Sequence, residues 1–166
     1  MVDSASVRAV KGALTGANPV DRGKQGTKLH LAGDAGGLPL AVVLTAANAH
    51  DSTMLGAVVD DIPPIHMPTR RRRRRPGTVH ADKGYDCPRC RDGAATPRDH
   101  PRIARRRVES SQRLGRHRWR IERTIAWLLG WRRLRVRYER CDERFFTFAM
   151  LACSAILFNT LQQPPW

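Results

Sequence analysis

The sequence predicts an α/β fold in one compact domain. Residues 28–32 alternate polar with apolar side chains, and residues 40–44 are an apolar run with β-branched members, a combination typical of two neighbouring strands. Residues 112–129 and 142–161 instead carry apolar side chains at helical spacing. A chain of 166 residues with 41% hydrophobic content has the length of about one domain and enough apolar material for one core.

The first part of the chain is predicted to form strands followed by a short helix. Segment 33–39 contains glycines and a proline and has the composition of a turn, so the strands beside it form a hairpin. Asp3 lies on the preceding strand or at its end. Residues 51–60 have helical spacing, with Asp51 or Ser52 as the N-cap, and two prolines end the helix.

The middle of the chain is predicted to add two short strands. Residues 78–81 form a strand that delivers Asp82 at its C-terminal end, where α/β folds place ligand-binding groups. Residues 87–99 are rich in proline and arginine and form a short helix and a loop. Residues 101–105 then give one more short strand.

Two long helices complete the predicted fold. In the first, Glu122 is interleaved among apolar positions, and Arg118 lies one turn earlier on the same face. The apolar content of the second helix predicts burial on several sides. Its apolar stretch is interrupted by polar residues, and the N-terminus has no signal pattern, so we expect a buried helix in a cytoplasmic protein with no membrane association.

Three tryptophans on or just after the first long helix have the spacing of residues that pack between helices: Trp119, Trp127 and Trp131. Stacking on DNA bases is the alternative interpretation.

The charge of the chain indicates a polyanionic partner. Lys and Arg total 30 against 15 Asp and Glu, a net charge of +15, and residues 67–166 carry most of the excess. Nucleic acid is the commonest polyanion that soluble proteins bind, through phosphate contacts and counterion release. A membrane surface is the weaker alternative.

Residues 67–77 are predicted to be an exposed, arginine-rich loop, because like charges at this density repel one another. General attraction to a phosphate backbone is favoured over a specific groove contact, and a solvated run without fixed contacts is the plainer alternative. The candidate DNA-binding residues of this loop are Arg70, Arg71, Arg72, Arg73, Arg74 and Arg75.

The four cysteines do not form a disulfide framework. Cys87 and Cys90 have the C-x-x-C spacing of a zinc or redox site, but Cys141 and Cys153 are far apart and supply no second pair. Nearby histidines at 80 and 100 could complete a zinc site. Two reduced, partly exposed thiols are the favoured interpretation.

Three carboxylates stand in settings that favour a metal site: Asp3, Asp82 and Glu122. Each has a structural alternative, because Asp3 could cap a turn, Asp82 could accept amides of the Gly84 turn, and Glu122 could pair with Arg118. Their joint placement favours the metal site. A histidine at position 50 is interpreted as a hydrogen-bonded turn residue and not as a general base.

Several motifs, in order along nearly the whole chain, carry a family resemblance. They include Val2-Asp-Ser, Ala47-Asn-Ala-His-Asp, Ala81-Asp-Lys-Gly-Tyr-Asp and, from Gly115, Gly-Arg-His-Arg-Trp-Arg-Ile-Glu-Arg. With these motifs the chain resembles the catalytic domain of IS5-type insertion-sequence transposases, within the IS4-like DDE group.

The resemblance implies an RNase H-like fold, a mixed five-stranded sheet flanked by helices, in which Asp3, Asp82 and Glu122 converge as catalytic residues and metal ligands. It implies two Mg²⁺ ions, with Mn²⁺ as a substitute, and DNA strand cleavage followed by strand transfer. Arg118 is interpreted as a residue that orients Glu122 or contacts a phosphate, and not as a catalytic acid. Arg118 and Arg123 are the candidate DNA-binding residues of the helix. The implied partners are the element ends, target DNA and further copies of the chain in a synaptic complex, in the bacterial cytoplasm with the nucleoid.

The chain also departs from the family pattern. Gly115 and Leu129 stand where many relatives have Tyr and Lys. The first aspartate comes two residues after the start, whereas relatives carry an upstream DNA-binding region, so residues 1–166 are interpreted as a catalytic domain alone. An upstream reading frame could supply the rest. The alternatives are an inactive remnant that only binds DNA and a related nuclease or Holliday-junction enzyme.

Overall fold

The structure is a computed structural model, and it describes residues 1–66, 69, 72–73, 75–93, 100–105 and 111–162. The side chains of residues 93, 100–101 and 111–117 are outside this description.

Strands are the main regular elements in the first half of the chain and helices in the second. In chain order the elements are β1 (Val2–Ala9), β2 (Gly16–Ala17), β3 (Gln25–Gly33), β4 (Pro39–Ala46), α1 (Leu55–Asp60), β5 (Ile65–His66), β6 (Arg72–Arg73), β7 (Thr78–Ala81), α2 (Pro88–Gly93), β8 (His100–Ile103), α3 (Ser111–Gly130), α4 (Arg132–Arg135), β9 (Val136–Arg137) and α5 (Asp142–Gln162). Two short 3₁₀ turns cover Asp51–Thr53 and Lys83–Tyr85.

A mixed five-stranded sheet organises the fold. β3 pairs antiparallel with β1, β4 and, at its start, β2, whereas β9 adds to β1 in parallel at Arg8 and Ala9. The predicted hairpin is confirmed, since β3 and β4 flank the turn after Gly33. The register sets Asp3 opposite Leu31, so both side chains lie on one face of the sheet.

The strand that precedes Asp82 lies outside this sheet. β7 pairs in parallel with β8 in a separate two-stranded sheet. β9 hydrogen-bonds to the C-terminal end of β1, whereas β7 associates with the N-terminal end through apolar side chains, among them Val2, Val79 and Ala81. The start of β1 and the end of β7 therefore come together without a hydrogen-bonded ladder between them.

Both faces of the main sheet are covered, as the alternation of side chains along a strand allows. On one face, Val2 and Ala32 pack with Leu55 and Val58 of α1. On the other, Leu31 and its neighbours pack with α3 and α5. The prediction of an α/β fold in which helices flank the sheet is confirmed.

A fully buried arginine fastens β9 to the rest of the sheet. Arg137 donates from Nη1 to Oγ1 of Thr27 (2.7 Å) and from Nε to the carbonyl of Glu139 (2.9 Å). Its guanidinium lies 5.6 Å from the ring centre of Phe145. Burial lowers the pKa of Arg137 from its usual value, and these contacts replace water around the charge.

Two element predictions need correction. The predicted helix over 51–60 divides into a 3₁₀ turn capped by His50 and the short α1. The exposed arginine run is not entirely loop, because Arg72–Arg73 pairs with Ile65–His66 in a two-residue hairpin arm. Residues Arg70, Arg71 and Arg74 lie outside the described part of the chain.

The last helix has the predicted bounds but is buried on one side only. Its inward residues include Phe145, Ala149 and Ile156, whereas Leu151 and Phe158 are exposed. The prediction of burial on several sides is wrong, because apolar composition does not reveal how many neighbours a helix has. By length and hydropathy α5 could cross a membrane, but core helices pass the same test.

Candidate active site

Asp3 is the second residue of β1 and its side chain is largely buried, with 14% exposed. Its Oδ1 accepts a hydrogen bond from the amide of Ser4 (2.8 Å). Burial raises the pKa of Asp3 to about 6, and the charges of Asp82 and Glu122 act in the same direction, against Ser4 and Arg118. A carboxyl held in this way carries a cost that a bound cation would relieve.

Asp82 follows β7 and caps the 3₁₀ turn Lys83–Tyr85. Its Oδ1 accepts from the amide of Gly84 (2.7 Å), so the capping role considered from the sequence is present. A Cβ at position 84 would come within 2.9 Å of that oxygen, which explains the glycine. The cap holds the carboxylate in place while Oδ2 is directed towards α3, 3.6 Å from Nη1 of Arg118.

Glu122 reaches the same place from α3. It is the most exposed of the three carboxylates, with 54% of its side chain accessible. Its Oε1 lies 3.1 Å from Nε of Arg118, one turn earlier. The contact is an ion pair without the angle of a hydrogen bond, since Nε of Arg118 has no hydrogen-bond partner in the described structure.

A single guanidinium therefore joins all three carboxylates. Arg118 also lies 3.9 Å, through Nη2, from Oδ2 of Asp3. The structure thus brings together Asp3, Asp82 and Glu122 from a strand, a turn and a helix that are distant in sequence. Three negative charges around one positive charge leave an excess of negative charge in the cleft.

The donor set fits a divalent metal, but its present spacing does not. Carboxylate oxygens are the ligands that Mg²⁺ prefers. Within the described ranges, however, no group of three His, Cys, Asp or Glu residues is spaced to hold an ion. The carboxylates surround a guanidinium, which is wider than a metal ion, and would have to draw closer to share one.

Arg123, which follows Glu122 in the sequence, makes contacts that stabilise the fold. It donates from Nη2 to the carbonyl of Gly36 (2.8 Å) in the β3–β4 turn, and Arg120 donates to the carbonyl of Ala35 (2.5 Å). The Arg123 guanidinium stacks over Trp119 and Trp127, with its central carbon 4.9 and 4.5 Å from their ring centres. Arg123 thus helps to hold the turn against α3.

The three tryptophans do not pack between helices. Trp119, Trp127 and Trp131 are between 42% and 48% exposed, so that prediction is wrong. Trp119 and Trp127 cover Arg123 instead, a contact that helical spacing alone does not distinguish from core packing.

The described part of the arginine run lies beside the start of β1. Arg73 and Arg75 line a cavity of 360 Å³ together with Val2 and Asp34. Arg75 forms an ion pair with Asp60 (2.5 Å). The exposed strand Arg72–Arg73 therefore presents positive charge next to the strand that carries Asp3.

Tyr85, which was not among the predicted site residues, lies near Asp3 and Asp82. Tyr85 is buried, and its pKa is raised by burial and by the charges of Asp51, Asp3 and Asp82. Its hydroxyl lies near Ser4 but makes no well-aligned hydrogen bond in the described structure. The Gly-Tyr-Asp motif after Asp82 was the available signal for this residue.

The Ala47-Asn-Ala-His-Asp motif is structural. Asp51 accepts a hydrogen bond from Nζ of Lys28 (2.8 Å), which also donates to the carbonyl of Ala49 (2.6 Å). Nδ1 of His50 lies 2.7 Å from the Ser52 hydroxyl, which confirms the turn-histidine interpretation. These contacts hold the 3₁₀ turn Asp51–Thr53, which lies against the turn Lys83–Tyr85.

The zinc alternative gains no support. Cys87 and Cys90 are free thiols, and within the described residues they belong to no group of three side chains that could hold a metal ion. The side chain of His100 is outside the described structure.

The amino-acid sequence has known relatives. Residues 1–158 match the family model described as "Transposase DDE domain". The chain belongs to the DDE transposase family. It is 45% identical over 149 residues to a "Putative transposase for insertion sequence element IS402" of Burkholderia cepacia, in a match that spans 90% of this chain and 71% of that protein. No solved structure matches the transposase chain.

Proposed function

We propose that this transposase domain cleaves DNA strands and transfers them by divalent-metal chemistry at Asp3, Asp82 and Glu122. The observation that carries the proposal is the convergence of these carboxylates around Arg118 from three separate elements. The family match covers all three residues. Three carboxylates supply the kind of ligands that two-metal phosphodiester chemistry uses, whereas a structural ion pair needs only one partner for Arg118.

The proposed ligands for two Mg²⁺ ions, or Mn²⁺ in their place, are the same three side chains. When bound, ions of this class polarise the phosphate and activate the attacking water or 3′-hydroxyl. Asp3 and Asp82 would contribute ligands to both ions, and Glu122, which is exposed on α3, would contribute a ligand to one of them. Asp82 keeps its orientation because the Gly84 amide holds its other oxygen.

Arg118 has two roles in this proposal. With no metal bound, its guanidinium neutralises part of the charge of the three carboxylates. When DNA enters, a phosphate offers the bidentate partner that guanidinium prefers. Arg118 would then turn from the carboxylates to the phosphate, and the carboxylates could draw closer.

The finer family assignment is part of the proposal. An RNase H-like fold is supported by the antiparallel β1, β3 and β4, by the position of Asp82 after β7 and by Glu122 on a following helix. Membership of the IS5 group of transposases is proposed on the sequence motifs. The proposed partners are element ends, target DNA, further copies of the chain and an upstream DNA-binding region. A transposase is expected in the cytoplasm, and we propose that this one associates with the nucleoid.

The test is cleavage of DNA that carries the element's terminal repeats, with Mg²⁺ or Mn²⁺, by the chain joined to the proposed upstream region. We expect Glu122→Gln to lower the cleavage rate by about 10³-fold or more, because one metal position loses its charged ligand. Glu143→Gln, at an exposed position of α5, is the matched control and should leave the rate unchanged. Metal-dependent cleavage that survives in Glu122→Gln would overturn the proposal.

A DNA-binding remnant without catalysis is the second candidate. The wide spacing of the carboxylates around Arg118 favours it. It predicts binding that weakens steeply with salt, with no metal-dependent product.

A further inference from the structure

Two cysteines that the proposed DNA chemistry does not use lie at the start of α2. Cys87 directly precedes this helix and Cys90 lies in its first turn. The carbonyl of Cys87 accepts hydrogen bonds from the amides of Cys90 and Arg91, both at 3.1 Å. This turn brings the two side chains to the same side of the helix.

The two thiols have different surroundings. Cys87 is partly exposed, whereas Cys90 is 3% exposed and donates from Sγ to the carbonyl of Ser52 (3.1 Å). Hydrogen bonding by Cys90, chiefly through its backbone amide, lowers the pKa of Cys87, and the Ser52 side chain adds a smaller effect. Burial raises the pKa of Cys90. A partly exposed thiol with a lowered pKa thus lies beside a buried thiol with a raised pKa.

We propose that Cys87 and Cys90 form a redox-active dithiol that closes to an intramolecular disulfide in the presence of a low-molecular-weight disulfide. The Cys87 thiolate attacks one sulfur of the reagent, so a mixed disulfide forms and one thiolate leaves and takes up a proton. Cys90 then loses its proton, and its sulfur attacks Cys87 and releases the second thiol. The two protein thiols are oxidised and the reagent disulfide is reduced to two thiols.

The step needs only a local movement. Side chains three residues apart on a helix have Cβ atoms about 5–6 Å apart, and a disulfide needs about 3.5–4.5 Å. Closure requires a movement of about 1–2 Å, and formation of the disulfide removes the Cys90 thiol hydrogen that bonds to the Ser52 carbonyl. Cys90 belongs to the apolar cluster that contains Tyr85, so movement of Cys90 would alter the packing of the segment after Asp82.

The other two cysteines provide an internal comparison. Cys141 is partly exposed like Cys87, and Cys153 is buried in α5, where burial raises its pKa to about 11. They are not in C-x-x-C spacing with any partner, so Cys141 tests whether exposure alone explains reactivity.

The experiment treats the folded chain with oxidised glutathione and maps the thiols by alkylation and mass spectrometry. We expect Cys87 to react about three- to tenfold faster than Cys141, because hydrogen bonding within the C-x-x-C turn lowers the pKa of its thiol, and the product to be a Cys87–Cys90 disulfide without bound glutathione. Cys90→Ser should trap glutathione on Cys87, and Cys87→Ser should prevent the disulfide. Cys141→Ser is the control and should leave the disulfide unchanged.

Equal reactivity of Cys87 and Cys141 would overturn the proposal. So would a wild-type product that retains glutathione on Cys87. Neither readout depends on DNA cleavage, so the result is independent of the proposed function.

Discussion

At the scale of single residues, Arg118 determines how the carboxylates are arranged. Its guanidinium is within 3.1 to 3.9 Å of an oxygen of each one, although 39% of its side chain remains exposed. Partly exposed ion pairs are individually weak, at about 0.2–1 kcal/mol. Arg118 can therefore hold the three charges together without preventing a stronger cation from replacing it.

We accordingly predict that Arg118→Gln strengthens Mn²⁺ binding. Without the three weak ion pairs of Arg118, the free energy of Mn²⁺ binding should become more favourable by roughly 1–2 kcal/mol. The Kd for Mn²⁺ should then fall by about five- to thirtyfold. Titration calorimetry of the DNA-free chain would measure the change. Arg120→Gln is the matched control on the same helix, because Arg120 bonds to the Ala35 carbonyl instead. An unchanged or weaker Mn²⁺ affinity in Arg118→Gln would contradict the competition.

Asp3 gives a pH-dependent prediction. Because its pKa is raised from the usual 3.8 to about 6 in the folded chain, the folded state binds the proton more tightly than the unfolded state. This contribution to the free energy of unfolding is fully present below pH 3.8 and is lost as the pH rises through about 6. The total loss is up to about 3 kcal/mol.

Asp3→Asn should therefore raise the free energy of unfolding at pH 7 and flatten its decline between pH 4 and 6. Urea unfolding at several pH values, without divalent metal, would measure both effects. Asp61→Asn, at an exposed position after α1, serves as the control. The same pH slope in Asp3→Asn and wild type would show that Asp3 is not the source.

At the scale of elements, α3 is positioned by the β3–β4 turn. The carbonyls of Ala35, Gly36 and Gly37 accept hydrogen bonds from Arg120, Arg123 and Thr124. Gly37 has φ +91°, and a Cβ there would lie 2.8 Å from the carbonyl oxygen of Arg120. Only glycine combines this backbone conformation with such a close approach to the helix.

Gly37→Ala should lower the free energy of unfolding by about 2–4 kcal/mol, since it adds both strain and a backbone clash. Gly56→Ala is the matched control: a Cβ at position 56 of α1 would have no neighbouring atom within 4 Å, so stability should rise by about 0.5–1 kcal/mol. Urea midpoints would compare the variants. Equal losses in both would argue against a specific turn–helix contact.

The elements also show what the sequence could predict. Periodicity located the hairpin, α3 and α5 within a few residues, because amphipathic burial leaves a direct mark on sequence. It could not predict that Arg118 would join three carboxylates, or that Arg123 would lie between Trp119 and Trp127. Those contacts depend on side-chain direction and on which turn meets the helix. Likewise, the association of β7 with β1 depends on apolar side chains and not on a ladder.

At the scale of the whole molecule, charge governs association with DNA. The net charge of +15 favours binding to any duplex, and the arm at Arg72–Arg73 presents two exposed arginines near β1. Phosphate contacts of this kind carry no sequence information, but they set the salt dependence of affinity.

The double variant Arg72→Ala, Arg73→Ala should weaken binding to unrelated duplexes to a similar extent. It should also reduce the slope of log K against log salt by about 2. Fluorescence anisotropy across a salt series would measure both quantities. Lys11→Ala, Lys24→Ala removes the same charge from exposed positions outside the arginine-rich part of the chain and should have a smaller effect. Equal slopes for the two variants would assign the effect to net charge alone.

The pairing of β9 with β1 has a consequence for biosynthesis. β1 can pair with its parallel partner β9, and Thr27 of β3 can bond to the buried Arg137, only after the chain between these strands has been translated. Glu122 is also translated late, on α3. Contacts between such distant segments form slowly because the intervening chain must be ordered first. A nascent chain therefore carries Asp3 long before it has a complete carboxylate cluster, and the cluster cannot assemble until α3 has been translated.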